Sequence, residues 1–273
     1  MLIEQGGGGE TAFWCPVAEC VTFIGFGFGA DSWHPFVALL KDHVEGRSQT
    51  YEGSLLERYY QRWQPIDARA TYAGFEQAPA SLAGRDPHLV HLVPWTAQGP
   101  EDILRVVRAF TSYDNRMAGK ARLDLSHGMG LFGPTHPEKG RLEFERLISI
   151  YRILKARGYD RSFGDICVVP VKRRNDLRFI VYGGGFHRAC ALAALGHEHL
   201  PARFLHPFVV DVADVDFWPQ VRNGTWSREE ASAYVDYLFD FDCAAWARTR
   251  FIRPSTRSAH RLYQADDAGH LCR

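Results

Sequence analysis

The stretch Phe179-Ile-Val-Tyr-Gly-Gly-Gly-Phe-His-Arg-Ala-Cys-Ala-Leu-Ala-Ala-Leu-Gly-His-Glu-His-Leu-Pro-Ala-Arg-Phe204 decides the fold. Arg178 to Tyr182 is rich in aromatic and β-branched residues and predicts a strand. Gly183, Gly184 and Gly185 leave it, and His187-Arg188 opens a helix. Ala189, Cys190, Leu192, Ala193 and Leu195 form that helix's apolar face, Gly196 closes it, and Leu200 to Phe204 reads as a returning strand. The unit is strand, glycine turn, helix, strand.

Working outward, Ile166 to Val171 is a second β-branched run, separated from Arg178 by a polar turn at Lys172 to Asp176. Together they predict a β-hairpin. Arg141 to Lys155 predicts a helix with Phe144, Leu147, Ile148, Tyr151 and Leu154 on one face. Its charged face holds Glu143, Arg146 and Arg152, and Gly158 ends it. A further helix is signalled from Gly99 to Phe110, with Pro100, Glu101 and Asp102 in its first turn and Ile103, Val106, Val107 and Phe110 facing the core. Ser54 is placed to cap a short amphipathic helix that reaches Trp63 before Pro65, and Ser227-x-x-Glu230 is a capping box. No internal repeat or low-complexity linker divides the chain. It reads as a mixed α/β fold with an N-terminal region (1–115) as the acceptor-binding part, a central module (116–210) and a C-terminal helical region (211–273).

Glycine at the turn lets the backbone adopt positive φ and approach a ligand, while the free N–H groups and dipole of the helix start favour an anion. Phosphate fits that site. His187 and Arg188 would add charge-assisted donors, the latter in a forked geometry matched to phosphate oxygens.

The same string resembles the ParB/sulfiredoxin superfamily: apolar strand, glycine turn, His-Arg or Arg-Arg, an alanine-rich helix ending Leu-Gly, and a Pro-containing strand. The resemblance runs from near Leu131 to Phe204. It implies a ParB/sulfiredoxin-like nucleotide-binding module with added helices at both ends. Sulfiredoxins carry a reactive Cys immediately before the His-Arg pair, where this chain has Phe186. ParB proteins bind CTP and carry a helix-turn-helix, which is not evident after Val209. The branch that needs neither consists of small-molecule kinases, such as those acting on free serine. It implies ATP or ADP with Mg2+, an acceptor that is a small molecule or sugar, and an acidic base from another element.

The segment Asp124-Leu-Ser-His-Gly-Met-Gly-Leu-Phe-Gly-Pro-Thr-His-Pro-Glu-Lys139 lies upstream. In the superfamily this region faces the nucleotide, so Lys139 and Arg141 are expected to neutralise phosphates and Ser126 or Thr135 to bind an oxygen. The base is expected among Asp124, His127 and Glu138, with Asp124 preferred. Each also has a structural reading: a surface acid, a turn histidine, a capping group, a solvated cation. His197-Glu198-His199 lacks the spacing of a helical metal box and reads as a turn.

Lys plus Arg and Asp plus Glu are equal at 32 each, so no global field attracts a polyanion, which weighs against a dedicated DNA binder. The rival reading is a ParB-like switch or nuclease, supported by the basic run Lys172, Arg173, Arg174 and Arg178. A third is a non-catalytic module that holds a phosphorylated ligand. The six cysteines form no CxxC pair, which predicts no cysteine metal centre and a reduced, cytoplasmic setting. Cys15 and Cys20 read as buried apolar residues. Phe13 to Ala30 is apolar but interrupted by Pro16, Glu19 and glycines, so it predicts strand and loop rather than a membrane span. Gly6 to Gly9 reads as a flexible tail. Trp33, Trp63 and Trp95 are either sugar-stacking surfaces or core.

Overall fold

The structure is a computed structural model describing residues 3–5 and 11–251; Gly6 to Gly9, Cys272 and the chain beyond 251 lie outside the described residues. The fold is mixed α/β. The strands are β1 (Ile3–Gln5), β2 (Thr11–Pro16), β3 (Cys20–Val21), β4 (Ile166–Arg173), β5 (Asp176–Val181), β6 (His199–Phe204) and β7 (Val210–Asp211). The helices are α1 (Pro35–Val44), α2 (Leu55–Arg62), α3 (Pro100–Met117), α4 (Pro137–Arg157), α5 (Phe186–Ala194), α6 (Pro219–Arg222), α7 (Arg228–Asp240) and α8 (Cys243–Arg250). No helix among the described residues is long and apolar enough to cross a membrane.

One sheet runs in the order β1-β2-β6-β4-β5-β3, with β7 beside the end of β4. β4 and β5 form the expected antiparallel hairpin, and α5 carries the chain across β4 to β6, which pairs parallel with β4. β2 pairs with β6 and β3 with β5, so the N-terminal region contributes strands on both sides of the central unit. The N-terminal and central regions therefore share one sheet, and the C-terminal region adds to it only Asp211 of β7.

Strand alternation divides the core in two. Ile166, Val168, Phe179, Val181, Leu200 and Ala202 pack on one face with α1, α2, α4, α5 and α8. Val169, Val171 and Ile180 pack on the other with Ile103 and Val107 of α3 and with Tyr234 and Leu238 of α7. Ser54 caps α2 and Ser227 with Glu230 closes a capping box on α7, as their spacing predicts. Trp33 lies in the core, stacked on Phe251 with ring centroids 5.4 Å apart, and is no open platform for a sugar. Cys15 and Cys20 are buried, their sulfurs 3.5 Å apart.

Three elements depart from expectation. α4 begins a turn early, at Pro137, because proline at the first helical position forfeits no hydrogen bond and His136 caps the Glu138 amide. His199 opens β6 instead of remaining in the turn. α3 continues to Met117 and turns differently: Ile103, Val107, Thr111 and Asn115 are buried, while Val106 and Phe110 face outward. Two polar residues, Thr111 and Asn115, extend the buried stripe, and the partners of Asn115 are inside. Asn115 Nδ2 donates to the Leu123 carbonyl at 2.9 Å, and its Oδ1 accepts from Lys139 at 2.6 Å.

Candidate functional site

The hairpin delivers the chain to Gly183 (φ 88°) and Gly185 (φ 79°), both in conformations that disfavour side chains. Packing demands glycine at the same places. A Cβ on Gly183 would lie 2.8 Å from Leu205, and one on Gly185 would lie 3.0 Å from the Ile166 backbone. Gly184 differs, since its Cβ would make only an ordinary contact, 3.4 Å from Cys167 Sγ. α5 starts directly behind the turn with no side-chain cap, and the first intrahelical amide to find its carbonyl is that of Ala189, bonded to Gly185 O. The amides of Phe186, His187 and Arg188 thus fall in the helix's first turn, where no upstream carbonyl is available.

Arg188 reaches back across this turn. Its Nη1 donates to the carbonyls of Phe163 (3.0 Å) and Gly164 (2.6 Å), its guanidinium lies over the Tyr159 ring, and its Nη2 is 3.3 Å from where a Gly185 Cβ would be. The guanidinium is consequently fixed beside the glycine backbone instead of ranging in solvent.

His187 points toward α4. Its Nε2 donates to Glu143 Oε2 at 2.7 Å, and its ring stacks on Phe36. Glu143 Oε1 accepts from Lys139 Nζ at 2.5 Å, and Arg146 stands 3.8 Å away, held by a two-pronged bond to Asp114. Glu143 and Lys139 are 3 % and 2 % exposed, so the array is almost dry. Burial pushes the Glu143 carboxyl up, but the hydrogen bond and charge of His187 and the charges of Lys139 and Arg146 outweigh it and hold the group well below the usual carboxylate range. A loop covers the array. Gly130 (φ 85°) passes over Glu143, and Tyr60 and Tyr59 of α2 donate to the carbonyls of Gly130 and Leu131.

Two sequence readings change here. Lys139, expected to face phosphate, turns its ammonium inward, where Asn115 and Glu143 occupy it. Glu143, expected on a solvated face, is the centre of the buried array. The signal was periodic, because Lys139 and Glu143 continue the Leu147 and Tyr151 stripe backward in steps of four.

The upstream loop forms a separate group. Asp124 accepts from the Ser126 amide at 3.0 Å and from its hydroxyl at 2.6 Å, and meets His127 Nδ1 at 2.9 Å. The Asp124 amide lies 3.3 Å from the same Nδ1, but a ring nitrogen cannot both donate to the carboxylate and accept from the amide. The shorter contact favours a proton on Nδ1, which leaves Nε2 as the acceptor. The bonds from Ser126 and His127 hold the Asp124 carboxyl below its usual range. His127 packs edge-on against His136, the cap of α4. Glu143 lies seven residues further along that helix, roughly 10 Å away.

The remaining expected residues are occupied elsewhere. Glu138 pairs with Arg122 and Lys120, Arg141 pairs with Glu52, and Thr135 donates to the Phe132 carbonyl. The basic run is also largely neutralised: Lys172 by Asp211, Arg173 by Asp236 and Asp240, while Arg174 (φ 57°) turns the hairpin. Among the described residues no three His, Cys, Asp or Glu side chains converge as a metal-holding group.

Two concavities matter. A cavity of about 10 Å³, room for one water, lies between His34, Phe36, Gly130 and Phe186 beside the array. An open groove of about 1060 Å³ between Trp14, Arg178, His199 and Phe239 shares no lining residue with the glycine turn. Fold and site together define a mixed α/β protein with a half-exposed glycine turn backed by a buried ionic array. No family model matches the chain, and no curated protein or solved structure matches it either.

Proposed function

We propose that the chain is a nucleotide-dependent phosphotransferase, a kinase that moves the terminal phosphoryl group of ATP or ADP to a hydroxyl of a small molecule or sugar. The observation that carries this reading is the anchoring of His187, on the first turn of α5, to the buried Glu143 beside a glycine turn spanned by Arg188. The helix start and the guanidinium supply donors for phosphate oxygens, and Gly184 leaves backbone open for close approach. Glu143 acts as a positioning residue. Held so firmly ionised, it is a weak proton acceptor, but it fixes the His187 ring and balances its charge.

His127 is the fitting base. Asp124 would orient the ring through Nδ1, and Nε2 would take the acceptor hydroxyl's proton as that oxygen bonds to the terminal phosphorus and the bond to the bridging oxygen breaks. Magnesium, when bound, would spread the phosphate charge. The ParB/sulfiredoxin resemblance supports the same assignment of the turn.

Calorimetric titration with ATP, ADP and CTP in the presence of magnesium tests the reading. Saturable binding that Arg188→Ala weakens by about 2 kcal/mol or more, the worth of a charge-assisted bond or two, is the expected result. No binding of any nucleotide would sink the kinase. Salt-sensitive binding of duplex DNA instead would favour the nucleic-acid reading.

A further inference from the structure

We propose that Cys15 and Cys20 are an oxidisable dithiol whose disulfide staples the two ends of the sheet together. The inference is independent of the phosphotransferase reading. β2 and β3 stand far apart in the sheet order, with β6, β4 and β5 between them, and no ladder among the described residues joins them. Yet a single 3-10 turn, Val17–Glu19, carries the chain from one to the other. The sheet must therefore curl until its ends meet. Phe13 of β2 accordingly packs on Phe179 of β5, with ring centroids 5.7 Å apart.

Cys15 and Cys20 face each other across this seam. Their sulfurs are 3.5 Å apart and lie 4.0 and 3.3 Å from the Pro16 carbonyl, and both side chains are fully buried. A disulfide sets its sulfurs about 2 Å apart, so each has to move by only about 0.7 Å. Two other buried thiols are committed elsewhere: Cys190 lies against His34 Nδ1 at 3.9 Å, and the Cys243 sulfur accepts from the Trp33 amide at 3.2 Å. The bond would supply what the backbone lacks, a direct link from β2 to β3. The Cys20 carbonyl also accepts from the Phe28 amide at 3.1 Å, and Phe28 packs against His34 and Phe186. The staple thus fixes the root of the loop that backs the first residue of α5.

The chemistry is thiol–disulfide exchange with a small-molecule disulfide such as oxidised glutathione. One cysteine thiolate attacks a sulfur of the reagent and expels one thiolate; the second cysteine then attacks the sulfur of the first and expels the other. The two cysteine protons end on the two released thiols, and the reagent is reduced as the pair is oxidised. Burial, aided by the bond to Cys20, pushes the Cys15 thiol up, so the closed seam holds almost no thiolate. Exchange therefore runs through opening of the seam, or before it closes during folding, and the finished bond is shielded from reductant in the same way.

The test equilibrates the folded protein with oxidised and reduced glutathione, and in parallel refolds it from urea in the same buffer so that access to the thiols is not limiting. Remaining thiols are then alkylated in denaturant and mapped by mass spectrometry. The expected result is that the tryptic segment 1–41, which holds both cysteines, loses two hydrogens and takes no alkyl group, while the other four of the six cysteines are alkylated. Oxidation should raise the melting temperature by about 5 °C, a modest gain because the loop it closes is short. That shift should vanish in Cys20→Ala and persist in Cys190→Ala. Alkylation of both cysteines in both samples, a lasting glutathione adduct on either, a bond to a different cysteine, or a bond without a melting shift would overturn the proposal.

Discussion

Glu143 carries opposite demands, being desolvated by the core and yet ionised by its neighbours. A buried carboxylate is tolerable only while its partners remain, since desolvation of each ion is offset by the others. Removing one charge therefore costs more than removing a matched pair. Glu143→Gln leaves the Lys139 ammonium buried beside a neutral amide and should lower unfolding stability by about 3 kcal/mol in urea titrations. Lys139→Met combined with Glu143→Gln should recover a large part of that loss. Equal destabilisation of the single and double variants would mean that Lys139 does not need Glu143 as its counter-charge. Nucleotide affinity separates the structural from the functional role, because in the double variant His187 loses its anionic partner, keeping at most an amide acceptor, even where stability returns.

At the scale of the element, the glycine turn has three residues with two different reasons to be glycine. Gly183 and Gly185 are required by positive φ and by neighbours, so their presence says nothing of a ligand. Gly185→Ala should cost about 1–2 kcal/mol from the backbone conformation alone, with more from the Ile166 contact. Gly184 has negative φ and ordinary space around it. Gly184→Ala should therefore leave the thermal melt within a degree or two while weakening nucleotide binding several-fold, because the added methyl occupies the approach to the backbone. Full affinity in Gly184→Ala would place the phosphates away from the turn. These elements also mark what sequence can tell. The hairpin, the turn and the caps at Ser54 and Ser227 were legible because each depends on local chemistry: β-branched runs, glycine, and hydroxyl caps three residues from their targets. α3 was misread because Asn115 is buried against Lys139, a partner distant in sequence. The Glu143 array was half legible: the step of four that runs back from Tyr151 and Leu147 reaches Glu143 and Lys139, but the partners from α3 and α5 are brought in only by the tertiary fold.

Over the whole molecule, balanced charge means that mild acid should act first through individual buried groups and not through general repulsion. His34 is the clearest of them. It caps α1, accepting from the Phe36 amide through Nδ1 at 3.1 Å, and packs among Phe26, Phe28 and Phe186 with Cys190 Sγ 3.9 Å away. Burial, aided by the nearby charge of His187, lowers its pKa from 6.5 to about 3. The folded state thus refuses a proton that the unfolded chain accepts, and stability falls as pH drops from 6.5 toward 3, by about 1.4 kcal/mol per pH unit. His91, lowered to about 4 mainly by burial, acts in the same direction. Glu143 joins below the ordinary carboxylate range, where the unfolded state binds a proton and the folded array does not. Melting temperature should accordingly be flat above pH 7 and decline steadily from pH 6.5 to 4.5. His34→Asn keeps an acceptor for the Phe36 amide but cannot titrate, so its decline should be shallower by about one proton even if its starting stability is lower. A slope identical to the wild type would show that His34 does not resist protonation in the folded protein, and would move the acid sensitivity of this window to His91.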